Sequence, residues 1–279
     1  MKPLFIFLVI PVISFSQITI KGKVLDIKKT PLPYTNIVLL NSANGTITNK
    51  DGEFELHNAS LSDTLKITNI AFIPKIILVS AINKDNEIIL IDSVKELEEV
   101  ILRDFRSFKL LSNLGFVSSS NKGEFKLTPG SQLAVYISNT NKREGWIKKI
   151  TFSIKNFGKC KNSIRLRLLK PDDVTLFPSL DILNENIVIE NSDLRRNNSI
   201  DVSNYKIIIP PTGVYIMIEW LYPNNGCDKE SYTTIAANLE TQENLVWLNF
   251  RDKKWGHANR PKLPNGNFIT PNIGIEVAY

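Results

Sequence analysis

Apolar positions 18, 20 and 24 alternate with Thr19, Lys21 and Lys23, the period-two signature of a strand with one face in a core. Similar short runs return at residues 37–40, 46–49, 53–56, 64–70, 75–79 and 87–91. The breaks between them carry turn chemistry. Pro31-Leu32-Pro33 fixes φ twice, Asn44-Gly45 tolerates left-handed backbone, and Lys50-Asp51-Gly52 closes a hairpin. Seven short strands with no helical period between them predict a small β-sandwich over residues 18–101.

The rhythm then breaks. Arg103-Asp104-Phe105-Arg106-Ser107-Phe108-Lys109 has no strand period, and Ser118-Ser119-Ser120-Asn121-Lys122-Gly123 is small and polar, so residues 102–122 are expected as a linker. Strands resume beyond it, with inward candidates Ile150, Phe152 and Ile154, then Ile164, Leu166 and Leu168, then Val214, Ile216, Ile218 and Trp220, and finally Ile273, Ile275 and Val277. Pro171-Asp172, Pro210-Pro211-Thr212-Gly213 and Pro223-Asn224-Asn225-Gly226 separate them. Residues 123–279 are expected as a jelly-roll-like antiparallel sandwich of about eight or nine strands. The fold class is therefore all-β.

The fragments Gly22-Lys23-Val24-Leu25-Asp26, Pro31-Leu32-Pro33-Tyr34-Thr35-Asn36-Ile37, Gly45-Thr46-Ile47-Thr48-Asn49-Lys50-Asp51-Gly52-Glu53-Phe54 and Asp63-Thr64-Leu65-Lys66-Ile67 come in one order. In that order they resemble the carboxypeptidase-like regulatory domain, a family of seven-stranded, transthyretin-like sandwiches. Where that family usually has Gly-Tyr, this chain has Ala71-Phe72, which implies a shifted turn. Lys95-Glu96-Leu97-Glu98-Glu99-Val100-Ile101 is similar to the segment that follows this domain in TonB-dependent outer-membrane receptors. A receptor is not expected here, since plug and barrel would need far more chain. The second half looks like domains that accompany the regulatory domain in exported bacterial proteins, a likeness that implies no activity.

The amino terminus changes where these sandwiches should reside. Lys2, the apolar run 4–13 and the small-x-small pattern Ser14-Phe15-Ser16 read as a signal peptide over residues 1–16, cleaved before Gln17. The apolar run is too short for a bilayer span. No cysteine follows it, so a lipoprotein is not expected, and no later segment is apolar enough for a transmembrane helix. The expected location is the periplasm, the cell surface or the medium, where disulfides persist. Cys160 and Cys227 are then either bonded to each other or both free.

Charge adds little. The chain of 279 residues carries 34 Lys and Arg against 28 Asp and Glu, but the excess is scattered, which argues against a nucleic-acid partner. Apolar residues at 43% and charged residues at 22% exclude disorder and fibrous classes.

Two histidines and two cysteines offer little for a metal or thiol centre. Zinc carboxypeptidases present His-x-x-Glu, whereas His57 precedes Asn58-Ala59-Ser60 and His257 precedes Ala258-Asn259-Arg260. Hydrolase and nucleotide motifs are missing from the sequence. Asn49-Lys50-Asp51-Gly52 has calcium-loop letters without the full spacing, so a hairpin turn is the better reading. Asp172-Asp173 and Glu98-Glu99 are adjacent and would face opposite sides of a strand. Lys148-Lys149, Arg195-Arg196 and Lys253-Lys254 are explained by solvated edges that discourage aggregation.

No catalytic, cofactor or metal residue is therefore assigned. Aromatic residues carry the one ligand hypothesis. Trp220 and Trp247 lie in apolar strands and read as core, whereas Trp255 lies in the polar stretch Lys253-Lys254-Trp255-Gly256-His257-Ala258-Asn259-Arg260. An indole face beside His257, Asn259 and Arg260 could take a sugar. The sequence thus points to a noncatalytic exported cell-envelope protein acting as a structural or interaction module, its partner an envelope protein or a glycan. The alternative is a carbohydrate-binding accessory protein using those loop aromatics.

Overall fold

The computed structural model describes residues 17–40, 42, 44–70, 72–82, 85–93, 104–117, 123–126, 128–156, 163–183, 185–190, 192–222, 233–250, 255–258 and 262–279. The expected signal segment, Cys160, Cys227, Asn259 and Arg260 lie outside the described residues.

The first sandwich contains β1 (Ile18–Leu25), β2 (Asn36–Leu39), β3 (Gly45–Ile47), β4 (Glu53–Ala59), β5 (Thr64–Thr68), β6 (Lys75–Leu78) and β7 (Glu87–Ile89). All seven expected strands are present. They form two sheets, β4-β1-β7 and β3-β2-β5-β6, with β1 and β7 parallel and the other pairs antiparallel. Val24, Ile37, Leu65 and Ile67 alternate inward and are wholly buried, as period two requires of strands with one covered face. The Asn49-Lys50-Asp51-Gly52 letters make a turn: Asn49 Oδ1 accepts from the backbone N–H of Asp51 and Glu53, each at 2.9 Å, and Gly52 takes φ +75°. Phe72, the retained aromatic of the Ala71-Phe72 departure, packs on this core and pairs with Asp92. Ala71 itself lies outside the described residues.

The second sandwich is wholly antiparallel. One sheet runs β13 (Pro178–Asp181), β12 (Ile164–Pro171), β17 (Gly213–Trp220), β10 (Ser131–Ser138), β19 (Val246–Phe250) and β20 (Gly256–His257), with β14 (Ile187–Ile189) also on β12. The other runs β21 (Phe268–Pro271), β18 (Thr234–Thr241), β11 (Gly145–Asn156), β22 (Ile273–Ala278) and β8 (Leu111–Gly115). To this sheet β15 (Asn197–Asp201) and β16 (Ile208–Ile209) add on β11, and β9 (Gly123–Lys126) adds on β18. The expected inward residues all lie in one core cluster with Leu133, Val135 and Ile147. The described strand segments outnumber the eight or nine expected, because long strands take two short partners along one edge, β13 and β14 on β12 and β15 and β16 on β11. β11 is twelve residues long and its register shifts at 147/149 against β22 and at 154/156 against β18, which bends it.

One boundary differs from the sequence expectation. Within residues 102–122, expected as linker, β8 is a strand of the second sandwich, with Leu114 opposite Ile275. The N–H groups of Lys109 and Leu110 both donate to the Tyr279 carbonyl at 2.9 Å, and Phe105 stands edge-on to Trp146 with centroids 4.9 Å apart. Leu114 alone of β8 is buried, as befits an edge strand. An edge strand with one inward side chain has no alternation to betray it.

Candidate functional site

The sheet built on β12, β17, β10 and β19 has two faces of different chemistry. Val214, Ile216, Ile218 and Trp220 of β17 point inward into the core, and Trp220 Nε1 donates to the Thr233 carbonyl at 2.8 Å. The intervening Tyr215, Met217 and Glu219 point outward. Strand register arranges that outer face in rows. Arg165 lies opposite Glu219, Glu219 opposite Gln132, and Gln132 opposite Asn249. One step along, Arg167, Met217, Ala134, Trp247 and His257 form the next row. A third row holds Leu169, Tyr215 and Tyr136.

The first row is polar and buried. Arg165 Nη1 donates to Glu219 Oε2 at 2.9 Å, with both side chains more than nine-tenths buried. The first sandwich covers them. Asn36 Nδ2 on β2 donates to Glu219 Oε1 at 2.7 Å, and Arg165 Nη2 donates to the Tyr34 carbonyl. Tyr34 can offer that carbonyl because its backbone sits at φ +54°, a conformation costly for an aromatic residue and sustained only by its surroundings. Those surroundings include Thr48, whose hydroxyl donates to the Leu32 carbonyl at 2.6 Å and accepts from the N–H of Thr35 at 2.8 Å. The Tyr34 hydroxyl donates to Glu190 Oε1 at 2.9 Å, and Lys50 Nζ reaches the same oxygen at 3.1 Å. Burial and this bond push the Tyr34 phenol up to about 12. The same hydroxyl, then Lys50, holds the Glu190 carboxyl below its ordinary range.

Apolar contact completes the joint. Ile47, Leu221 and Tyr222 cluster with Tyr34, Val38 and Val188. Gly45 permits this approach, since a Cβ there would meet the Tyr222 ring at 2.8 Å. The joint thus combines a desolvated ion pair, hydrogen bonds and side-chain packing, which fix orientation more strongly than area alone.

The second row carries aromatic chemistry. The His257 ring lies 3.7 Å from that of Trp247 between centroids, at 30°, and Phe177 meets Trp247 edge-on at 4.7 Å. Trp247 is buried as expected, but on the outer face and not in the main core. Trp255 is half-buried and packs against this cluster, and His257 is exposed. Thus Trp255 and His257 come together on one sheet edge. The Tyr215 hydroxyl donates to the Leu176 carbonyl at 2.6 Å, and burial pushes its phenol up to about 12. Beside them Arg167 is tied to Asp181 and donates to the carbonyls of Leu183, at 2.8 Å, and Glu185, at 3.0 Å.

Other sequence candidates have local duties. Asp172 Oδ1 accepts from the N–H of Val174 and Thr175 and from the Thr175 hydroxyl, which hold its carboxyl below the ordinary range. Lys148 Nζ lies 3.4 Å above the Trp146 ring, and Lys149 pairs with Glu276 at 3.1 Å. Among the described residues, no cluster of three or more His, Cys, Asp or Glu side chains is placed to hold a metal.

Sequence reading missed Arg165, Arg167 and Glu219. Their signal was available: charged side chains at period two inside otherwise apolar strands, Ile164-Arg165-Leu166-Arg167-Leu168 and Ile218-Glu219-Trp220, mark a second covered face.

Residues 20–102 match the family model of the CarboxypepD_reg-like domain, which is a regulatory-like domain and not a catalytic peptidase domain. The match covers the first sandwich from Ile20 onward and confirms the resemblance drawn from its turns and strands. No curated protein matches the chain. Among the described residues no helix is long and apolar enough to cross a membrane.

Proposed function

We propose that this protein is a noncatalytic, exported module of the cell envelope, in which a regulatory-like sandwich is fixed on a larger sandwich to present a recognition surface. The observation that carries this reading is the joint: Arg165 and Glu219, buried together, are both bonded to the first sandwich through Tyr34 and Asn36. A tethered pair of independent domains has no need to bury an ion pair of one beneath the other and bond to it there. Export supplies the setting for such a scaffold, and residues 1–16 have the sequence of an export signal. Cell fractionation with mass spectrometry of the amino terminus tests it. The expected result is a chain beginning at Gln17 outside the cytoplasm; a cytoplasmic chain retaining Met1 overturns it.

A second reading, a carbohydrate-binding accessory protein, is supported by the aromatic row in which Trp247, His257 and half-buried Trp255 meet on one sheet edge. Indole faces beside polar groups suit the apolar face of a pyranose.

A further inference from the structure

We propose that β6, the free edge of the first sandwich, pairs with β6 of a second copy of this chain and joins two β3-β2-β5-β6 sheets across a two-fold axis. β6 is the last strand of its sheet. The Val79 N–H donates to the Asp63 carbonyl at 2.9 Å and Ile77 stands opposite Leu65, so the N–H and C=O groups of residues 75, 77 and 79 turn toward β5. Hydrogen-bonding direction alternates along an antiparallel strand. Ile76 and Leu78 therefore turn their N–H and C=O groups outward, where the described residues supply no further strand. Lysine commonly guards such an edge. Here Lys75 Nζ reaches back to the Ile89 carbonyl on β7 at 3.0 Å, which leaves the edge open.

The side chains on this edge fit a copy of themselves. Ile76 is 62% exposed and Leu78 49%, and both lie on one face. Lys66 and Thr64 stand opposite them on β5, so neither has an apolar partner across its own sheet. Ile73 and Ile91, exposed and joined by a backbone hydrogen bond of 2.8 Å, border the start of the strand. Turning a second β6 antiparallel about Ile77 sets Ile76 opposite the partner's Leu78, and Leu78 opposite the partner's Ile76. Each of these pairs is bonded in both directions, and its apolar side chains meet on the same face. A foreign strand matches only if it offers apolar residues at the same alternate positions; a second copy does so by symmetry. The joint between the sandwiches supports this face as a docking one. Ile47, Asn36 and Val38 lie on it and are seated on the second sandwich, and Val38, Lys66 and Ile76 form a single row across β2, β5 and β6. The apolar edge thus continues a face that already docks. The two-fold axis stands perpendicular to the sheet, so both copies keep that face, and with it their second sandwiches, on one side.

The test is sedimentation equilibrium of the intact protein from about 1 to 100 µM, with Ile76→Lys, Leu78→Glu and Ile76→Pro run alone and the first two also mixed. Each variant is checked by thermal melting. Proline is tolerated where the missing N–H faces solvent, so Ile76→Pro keeps β6 on β5 while removing one outward donor. The expected result is a monomer–dimer equilibrium, weakened about tenfold or more in every single variant. The mixture should regain it, because the new lysine then stands opposite the new glutamate, and Ile76 of one copy opposite Leu78 of the other. A protein that stays monomeric throughout overturns the proposal. A dimer that survives in folded Ile76→Pro and Ile76→Lys overturns it too and places the contact elsewhere. A mixture no stronger than the single variants overturns the register, and with it the pairing. A monomer that takes up a synthetic strand of alternating apolar residues, and loses it in Ile76→Lys, assigns the edge to a foreign partner and overturns the second copy. If Ile76→Pro fails to fold, Ile76→Lys and Leu78→Glu decide, because both side chains are exposed.

Discussion

The inner and outer faces of the β12-β17-β10-β19 sheet are both buried, yet they are covered in different ways. The inner face meets the second sheet of its own sandwich, and the side chains it gives to the core cluster are aliphatic apart from Trp220. The outer face meets the first sandwich at one end and its own loop aromatics at the other, and it carries Arg165, Glu219, Arg167 and Asn249. An aliphatic face needs only volume, so it is stable against any well-fitted apolar layer. A face with a buried ion pair accepts only the partner that supplies the missing bonds. The inner face therefore holds the fold, and the outer face sets which surface of the first sandwich may dock.

The contrast can be broken at its strongest point by Trp220→Ala on the inner face. Removing this fully buried indole should cost about 3–5 kcal/mol through cavity formation, read by chemical denaturation. A loss below about 1 kcal/mol would falsify the claim that this face carries the stability of the fold.

On the outer face, Arg165→Met leaves Glu219 buried without its counter-charge. We expect a loss of about 3 kcal/mol and protease sensitivity at the joint, while Arg165→Met with Glu219→Leu recovers most of the stability. If the double variant is no better than the single one, the ion pair is not what selects the docked surface.

Trp255→Ala probes the same face at its edge, where the indole is only half-buried. The expected cost is about 1–2 kcal/mol, with little change at the joint by hydrogen exchange. A cost as large as that of Trp220→Ala would place Trp255 among the core residues.

The smallest effect is on pH. The Glu190 carboxyl is lowered by Tyr34 and Lys50, so its contribution is present above the ordinary glutamate value of about 4.3 and is lost as pH falls through the lowered one. The Tyr34 phenol is raised to about 12, so its contribution is present below the ordinary tyrosine value of about 10 and is lost as pH rises toward 12. Exchange protection at the joint should fall at both ends while the inner face stays protected. Tyr34→Phe should abolish the alkaline loss; persistence of that loss in the variant would assign it to another group.

Local period and turn chemistry determined the first sandwich: alternation at Ile20, Val24, Ile37, Leu65 and Ile67, with breaks at Pro31, Gly45 and Gly52, is enough to place its strands. They also marked the inward faces of β11, β12, β17 and β22, because an apolar side chain at every second position records burial on one side. Alternation fails where both sides are covered. Every residue of β17 is buried, so its outward Tyr215, Met217 and Glu219 read as more core or as an anomaly. The meeting of Tyr34 with Arg165, 131 residues apart, and of Arg165 with Glu219, 54 apart, was decided only by sheet order and by the seating of one sandwich on the other. The physical reason is the range of the forces. Strand period and turn preference act between neighbours along the chain, whereas a buried charge finds its partner across strands that only the closed fold makes adjacent.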